Sequence, residues 1–262
     1  MAQLSPTMNV MIKAVEKATR SLIRDFGEVE NLQVSQKGPG DFVSAADTRA
    51  EQIIHDELIY ARPDYGFMME EGGIVEGKDK DYRWIIDPLD GTSNFLHGLP
   101  HWSISIALEH KGEIIAGIVH DPVKDEMFHA EKGKGAFVRR QRLRVSGRKS
   151  LSTAMIATGE PSRNPNFNAE SNALKAEGAS MRRFGSAALD MCYVAAGRLE
   201  CFWERNLKPW DLAAGYIIAK EAGGSVCDLD SDTKNPVFSG NIMASNAELY
   251  HTTKQILRKV KA

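Results

Sequence analysis

The stretch Trp84-Ile85-Ile86-Asp87-Pro88-Leu89-Asp90-Gly91-Thr92-Ser93-Asn94-Phe95 sets two carboxylates three residues apart around a Pro-Leu pair and follows them with Gly and Thr. Three apolar residues before Asp87 read as the end of a buried strand. Pro88 lacks an N–H and has a fixed φ, which predicts that the chain does not continue as an interior strand. The bend can turn Asp87, the Leu89 carbonyl and Asp90 toward one point, an all-oxygen set suited to a hard cation such as Mg²⁺. Gly91 allows close backbone approach to a ligand, and Thr92 is expected to cap a helix that begins at Ser93 and Asn94. N–H groups at a helix start favour an anion, phosphate above all. Taken alone, Asp-Pro-x-Asp-Gly is usually an ordinary surface turn, so the rest of the chain has to decide.

Two other places carry carboxylates with a role to explain. Glu70-Glu71 follows Tyr65 to Met69, which reads as a strand, and a short link leads from there to the strand before Asp87. Alternation along the strand lets one glutamate face the cation while the other faces a second water or partner. Far downstream, Lys208-Pro209-Trp210-Asp211 opens a helix with proline, and Asp211 falls in its first turn, where an acid favours the positive end of the dipole. Ala213, Ala214 and Gly215 give that helix a small-residue face for close approach to a neighbour.

The elements that must position these groups follow from periodicity and punctuation. Ser5-Pro6 starts a helix that runs to Gly27 on Val10, Met11, Ala14, Val15, Ala18 and Leu22. A short strand is expected at 32–35, then a turn over 37–41. A second helix spans about 46–61, with Ile53, Ile54 and Leu58 inward and Arg62-Pro63-Asp64 as its stop. A polar connection over 72–81 leads to the central strand. Strands are predicted at 103–109, 113–120, 126–130, 136–138 and 142–145, with a tight turn at Lys111-Gly112. So many consecutive strands predict an antiparallel sheet backed by the two opening helices. After Ser150 the pattern alternates: strands at 154–158, 181–184, 199–203, 225–227 and 242–244, and helices at 167–177, 186–196, 209–222 and from 246 onward. A soft boundary falls near 146–152.

Composition bounds the rest. The chain has 262 residues, 42% hydrophobic and 26% charged, which is ordinary for a soluble globular protein. The net charge of -2 with no long basic run does not indicate direct nucleic-acid binding. Cys192, Cys201 and Cys227 form no CxxC pair, so free buried thiols in a reducing compartment are expected. With no signal-peptide core and no membrane-length apolar run, a cytoplasmic protein is the expectation.

Two segments, WIIDPLDGTSNFLHGLPHWSISIAL from Trp84 and WDLAAGYIIAKEAGG from Trp210, closely resemble the inositol monophosphatase family, most of all its bacterial extragenic-suppressor (SuhB-type) group. The likeness extends to Gly40-Asp41-Phe42-Val43-Ser44-Ala45-Ala46-Asp47 and Phe184-Gly185-Ser186-Ala187-Ala188. It implies an α+β fold, a layered αβαβα sandwich of the inositol monophosphatase and fructose-1,6-bisphosphatase type. One compact phosphatase domain over 1–262 is expected, with halves 1–148 and 149–262, and a homodimer. The family's metal ligands match Glu70, Asp87, the Leu89 carbonyl, Asp90 and Asp211, for two or three Mg²⁺ per site. Catalytic positions match Glu70, Asp47 and Thr92, the last two as a hydrogen-bonded pair near the nucleophilic water. Substrate positions match Gly91 and Thr92 for the phosphate and Gly185, Ser186, Ala187 and Glu204 for ring hydroxyls. Glu70, Leu89, Asp90 and Asp211 border the same substrate space.

The resemblance implies a Mg²⁺-dependent phosphomonoesterase that hydrolyses myo-inositol monophosphate, with water attacking in line and no phosphoenzyme. Lithium sensitivity is a family expectation. His97 and His101 are assigned to loop packing, because an all-oxygen site suits Mg²⁺ better than imidazole does. Rivals on the same fold are fructose-1,6-bisphosphatase, histidinol phosphatase and 3′(2′),5′-bisphosphate nucleotidase. A reading from another class is a regulatory protein that contacts RNA polymerase in antitermination, acting through protein contacts at Arg182 and Arg183. For that pair a solvated edge is the simpler assignment, and Lys208 adds positive charge near the mouth of the site.

Overall fold

The computed structural model describes residues 4–29, 34–38, 41–233 and 235–260. Helix α1 (Pro6–Phe26) starts where the sequence predicts, with Ser5 Oγ accepting the Met8 N–H at 3.0 Å, and Gly27 caps its end. Strands β1 (Val34–Gly38) and β2 (Asp41–Ser44) form a two-stranded ribbon. Strand β1 runs on to Gly38, past the expected end at Ser35; positions 32 and 33, and Pro39 and Gly40 of the expected turn, lie outside the described residues. Helix α2 (Ala45–Ala61) opens on a capping box: Ser44 Oγ accepts from the Ala46 N–H, and Asp47 accepts from the Ser44 N–H.

Next come β3 (Tyr65–Met69), β4 (Gly73–Val75), β5 (Asp79–Asp90), the short α3 (Thr92–Leu96), β6 (Ser103–His110), β7 (Glu113–Asp121), β8 (Glu126–Glu131), β9 (Gly135–Val138) and β10 (Gln141–Arg142). They make an eight-stranded sheet in the order β10-β9-β8-β7-β6-β5-β3-β4. Three details differ from the sequence reading. The connection over 72–81 holds the exposed edge strand β4, invisible because it buries nothing. The expected strand over 142–145 shrinks to the two residues of β10. The sheet is not wholly antiparallel, since β3 and β5 run parallel, which is what puts the ends of both strands, and Glu70 with Asp87, on one edge.

The second half supplies β11 (Met155–Thr158), α4 (Phe167–Ala176), β12 (Ser180–Arg182), α5 (Ala187–Ala195), β13 (Cys201–Glu204), α6 (Pro209–Glu221), β14 (Ser225–Asp228), β15 (Ile242–Ser245) and α7 (Tyr250–Lys259). Boundaries shift by a few residues from expectation, most at α7, which begins at Tyr250 rather than Asn246. The five strands form a mixed sheet in the order β12-β11-β13-β15-β14.

Alternation along the strands sorts the apolar residues into layers. Trp84 and Ile86 of β5, with Ile104 and Ile106 of β6, pack against α1 and α2. Ile85 and Ala107 face the other way, toward α5 and α6 and the inner residues Phe202 and Ala244 of the smaller sheet. Ile156, Trp203 and Met243 point outward to Leu174 of α4 and Leu257 of α7. The result is five layers, αβαβα, as the resemblance implies. Helix α6 lies in a trough of small residues: Ala107, Gly117, Ala130 and Ala136 sit side by side across β6 to β9. A Cβ on Gly117 would fall 2.9 Å from the Ala214 Cα, and one on Gly215 would fall 2.8 Å from the Met191 Cβ. The small-residue face read from the sequence thus serves two neighbours, β7 on one side and α5 on the other. No helix among the described residues is long and apolar enough to cross a membrane. The three cysteines are free and buried.

Candidate active site

Pro88 does not end β5. The strand runs through to Asp90, and its pairing with β6 slips between Asp87–Ser105 and Asp90–Ser103. Proline's missing donor is accommodated in that bulge, where the ladder is already interrupted. The extra backbone turns Asp87 and Asp90 to the same side, and the Leu89 N–H folds back on Asp87 Oδ1 at 2.9 Å. The bend expected from the sequence is real, but it is a kink within the strand.

Gly91 follows with φ +93° and is itself the cap position of α3. The expected capping role of Thr92 is therefore not found. Its hydroxyl lies 3.0 Å from the Leu89 carbonyl and 3.2 Å from Asp47 Oδ1, so it links the bulge to the first turn of α2. Asp47 is fully buried, and its other oxygen accepts from the Ser44 N–H and hydroxyl at 2.9 and 2.6 Å. Burial raises its pKa, the Ser44 bonds opposing.

Asp211 comes from the other half of the chain. It is the third residue of α6, and its carboxylate accepts the Lys208 N–H at 2.8 Å, a helix-start bond that fixes it in place. Asp87, Asp90 and Asp211 each offer an oxygen within 4.8 Å of the others. Glu70 stands beside them: its N–H bonds the Ile86 carbonyl at 3.2 Å, and its charge raises the Asp87 pKa. Glu71 departs, its N–H held by Glu51 Oε2 at 2.9 Å.

The electrostatics of this cluster are those of a cation site. Burial first, then Glu70, Asp90 and Asp211, push Asp87 well above the usual carboxylate range. Burial and Asp211 raise Asp90 to about 7, despite bonds from the Ser186 hydroxyl at 2.5 Å and the Ala188 N–H at 2.9 Å. Among the described residues no lysine or arginine pairs with Asp87 or Asp90. Close oxygens that repel one another are what a hard divalent cation relieves. The donors fit such an ion.

A pH dependence follows. The folded pKa of Asp90 lies above its unfolded value of about 4, so folding favours the protonated acid. Its contribution is complete below about pH 4 and is lost as pH rises through about 7. Metal-free protein in chelator should therefore melt at a lower temperature at pH 8 than at pH 5.5, read by scanning fluorimetry. A flat profile would contradict the raised carboxyls.

The remaining predicted residues ring the cluster. Gly185, at φ +85°, turns its carbonyl to within 3.1 Å of where a Gly91 Cβ would be, so both glycines are needed for that close approach. Ser186 caps α5 and bonds Asp90, and Ala187 follows as the first residue of the helix. Glu204, at the end of β13, accepts the Glu160 N–H at 3.1 Å and is raised to about 8, chiefly by burial, with smaller pushes from Asp211 and Asp90. His97 is exposed with Nδ1 on the Ser93 carbonyl, and His101 packs among Phe184 and Tyr193, its pKa lowered to about 4 by burial. Both pack the loop. Arg183 bonds the Gly159 carbonyl and Glu160, while Arg182 stays on its own edge strand.

The sequence reading missed three participants. Ala188 gives Asp90 a backbone donor. Asn94 donates to the carbonyls of His101 and Phe184, both at 2.7 Å, stitching the two halves beside Gly91. Gly159 lies so close under Glu204 that a Cβ there would overlap the carboxyl. Asn94 and Ala188 lie within the stretches that resemble the family, but their bonds, like the approach of Gly159, are set by tertiary contact.

Comparison with known proteins identifies the family and the fold. The family model described as "Inositol monophosphatase family" matches residues 3–262. The chain is 51% identical to the inositol-1-monophosphatase of Mesorhizobium japonicum, over 97% of each protein. It is 40% identical to the Nus factor SuhB of Haemophilus influenzae, over 98% of this chain and 97% of that one. The crystal structure of the extragenic suppressor protein SuhB from Bartonella henselae superimposes with a TM-score of 0.93 at 50% identity, covering 97% of this chain and 99% of that one. A bulged strand end carrying Asp87 and Asp90, closed by an aspartate delivered on α6, is thus set in a fold and a sequence shared along the whole chain, and the protein belongs to the inositol monophosphatase family.

Proposed function

We propose that the chain is a Mg²⁺-dependent phosphomonoesterase acting on myo-inositol monophosphate, releasing myo-inositol and phosphate. The observation that carries this reading is the cluster of Asp87, Asp90 and Asp211, the first two buried, set beside Gly91 and the start of α3. Glu70, Asp87, the Leu89 carbonyl, Asp90 and Asp211 would hold two or three Mg²⁺. When bound, the ions neutralise phosphate oxygens, acidify water and stabilise the departing alkoxide.

The chain's own residues do the rest. The Gly91 and Thr92 N–H groups, at the first turn of α3, hold the phosphate, since N–H groups there have no acceptor within the helix. Thr92 Oγ1 donates toward Asp47 while its lone pairs face the entering water, so the pair orients that water for in-line attack. Glu70 holds the water from the other side. Glu204, with Gly185, Ser186 and Ala187, receives the hydroxyls of the polyol ring. The halves 1–148 and 149–262 act as one unit, because Asp211 belongs to one and Asp87 to the other. Dimerisation and a cytoplasmic location are further parts of this reading. The SuhB name of one relative also supports a regulatory role through RNA polymerase.

Phosphate release from myo-inositol 1-phosphate with and without Mg²⁺ tests the proposal. Turnover that needs Mg²⁺ and exceeds that on fructose 1,6-bisphosphate, histidinol phosphate and 3′,5′-bisphosphonucleotides is the expected result. A folded protein that releases phosphate only from one of the rivals would replace the substrate assignment. Mg²⁺ at about a hundred times its Kd should also raise the melting temperature by roughly 5–10 °C at pH 8. At pH 5.5 the rise should be smaller, because protons compete for the carboxylates.

A further inference from the structure

Three consecutive residues at the end of β13 fasten one loop. Side chains alternate here, so Glu204 faces the active site while Trp203 and Arg205 face the opposite side, toward α4. Glu204 accepts the Glu160 N–H at 3.1 Å. Arg205 is buried, its Nε and Nη2 donating to Glu170 Oε1 at 2.9 and 2.6 Å and its Nη1 reaching both oxygens of Asp230 at 3.0 Å. Glu170, also buried, uses its second oxygen to accept from Asn164 Nδ2 at 2.7 Å and Trp203 Nε1 at 2.9 Å. Asn206 donates from Nδ2 to the Arg163 carbonyl at 2.5 Å and holds a left-handed φ of +58°. Its N–H is anchored to Asn241, which in turn donates to Asp230.

The loop held at these three points, Gly159 to Asn164, is the wall against which Glu204 rests. A buried ion pair with this many bonds is weak evidence for stability but good evidence for a fixed geometry. We propose that Arg205 and Asn206 are positioning residues for polyol recognition: with Glu170 they lock the Gly159–Asn164 wall and Glu204 in the place where ring hydroxyls are read. This rests on the proposed function, in which Glu204 meets the substrate ring. Arg205 and Glu170 lie on the far side of β13 from the acidic cluster, and Asn206 reaches only the loop, so the clamp sets affinity for the ring and leaves phosphate chemistry alone.

Two variants and two esters test it. Arg205→Lys keeps the charge but cannot fork to Glu170 and Asp230 together. Asn206→Gly keeps the left-handed backbone without strain and removes only the exposed side chain, so it should fold even if Arg205→Lys does not. Steady-state kinetics are compared on myo-inositol 1-phosphate and on glycerol 2-phosphate, which has no ring. The expected result is a KM for the inositol ester raised about tenfold in Arg205→Lys and about threefold in Asn206→Gly, with kcat and the KM for the glycerol ester little changed. Hydrogen exchange at the Arg163 and Asn164 amides should quicken in both variants. Equal effects on both esters, or none on either in a folded Asn206→Gly protein, would overturn the proposal. If wild type hydrolyses neither ester, the functional reading has failed, and the specificity role falls with it.

Discussion

Asp87→Asn is expected to lower Mg²⁺-dependent phosphate release by about a thousandfold, which corresponds to several kcal/mol of charge stabilisation lost from the transition state. The same change should raise the melting temperature of the metal-free protein at pH 8. Asp87 is buried among Glu70, Asp90 and Asp211, all of which push its pKa upward. An amide of the same shape keeps the bond from the Leu89 N–H and removes one charge from a site where charges repel. Stability and activity therefore move in opposite directions, the signature of a functional site held together under strain. Added Mg²⁺ should then shift the variant's melting temperature far less than the wild type's. Activity measurements and melting curves, with and without chelator, check all three outcomes together. A variant that melts lower without metal would show that Asp87 is a structural acid and remove the basis for the assignment.

Gly117→Ala is the second large effect, and it acts on the fold. A methyl group there would lie 2.5 Å from Ile217 Cγ2 and 2.9 Å from both the Cα and the carbonyl oxygen of Ala214. The Ile217 methyl can move, but the helix backbone cannot. The expected cost is about 2–3 kcal/mol of overpacking, or roughly 5–10 °C in melting temperature. Helix α6 must also lift from its trough, and Asp211 rides on its first turn, so activity should fall more than stability alone explains. Gly147→Ala is the control: no atom stands near its Cβ, so the change should be neutral or slightly stabilising. Thermal melts of both variants decide the matter, and equal midpoints would mean that the approach of α6 to β7 is slack.

What the sequence made legible divides along a physical line. Ser5-Pro6, the apolar face of α1 and the Pro209 start of α6 are local signals, and the structure places those helices within a residue of where they were read. The acidic residues that meet at the site carried a local signal too, as oxygen donors clustered at strand and helix ends. What needed the whole fold was less visible. Thr92 looked like a cap because nothing in the sequence says that Gly91 takes φ +93° and occupies that position itself. Pro88 looked like a strand stop because a bulge depends on the partner strand as well as on the proline. Glu170 and Arg205 carried no local signal, and only tertiary packing buries them as a network. Strand β4, exposed at an edge, left no apolar pattern to read.

The acidic cluster also fixes an order of events during synthesis. Asp87 and Asp90 emerge from the ribosome long before α6 does, and only α6 carries Asp211 back across the sheet. Until then the trough over Gly117 is uncovered and the bulge presents an incomplete set of oxygens. Closing so long a loop costs chain entropy that nearby contacts do not return, so this step belongs late in folding. A growing chain therefore has no complete ion site until α6 is in place. The ability to capture a divalent cation becomes a marker of the finished molecule.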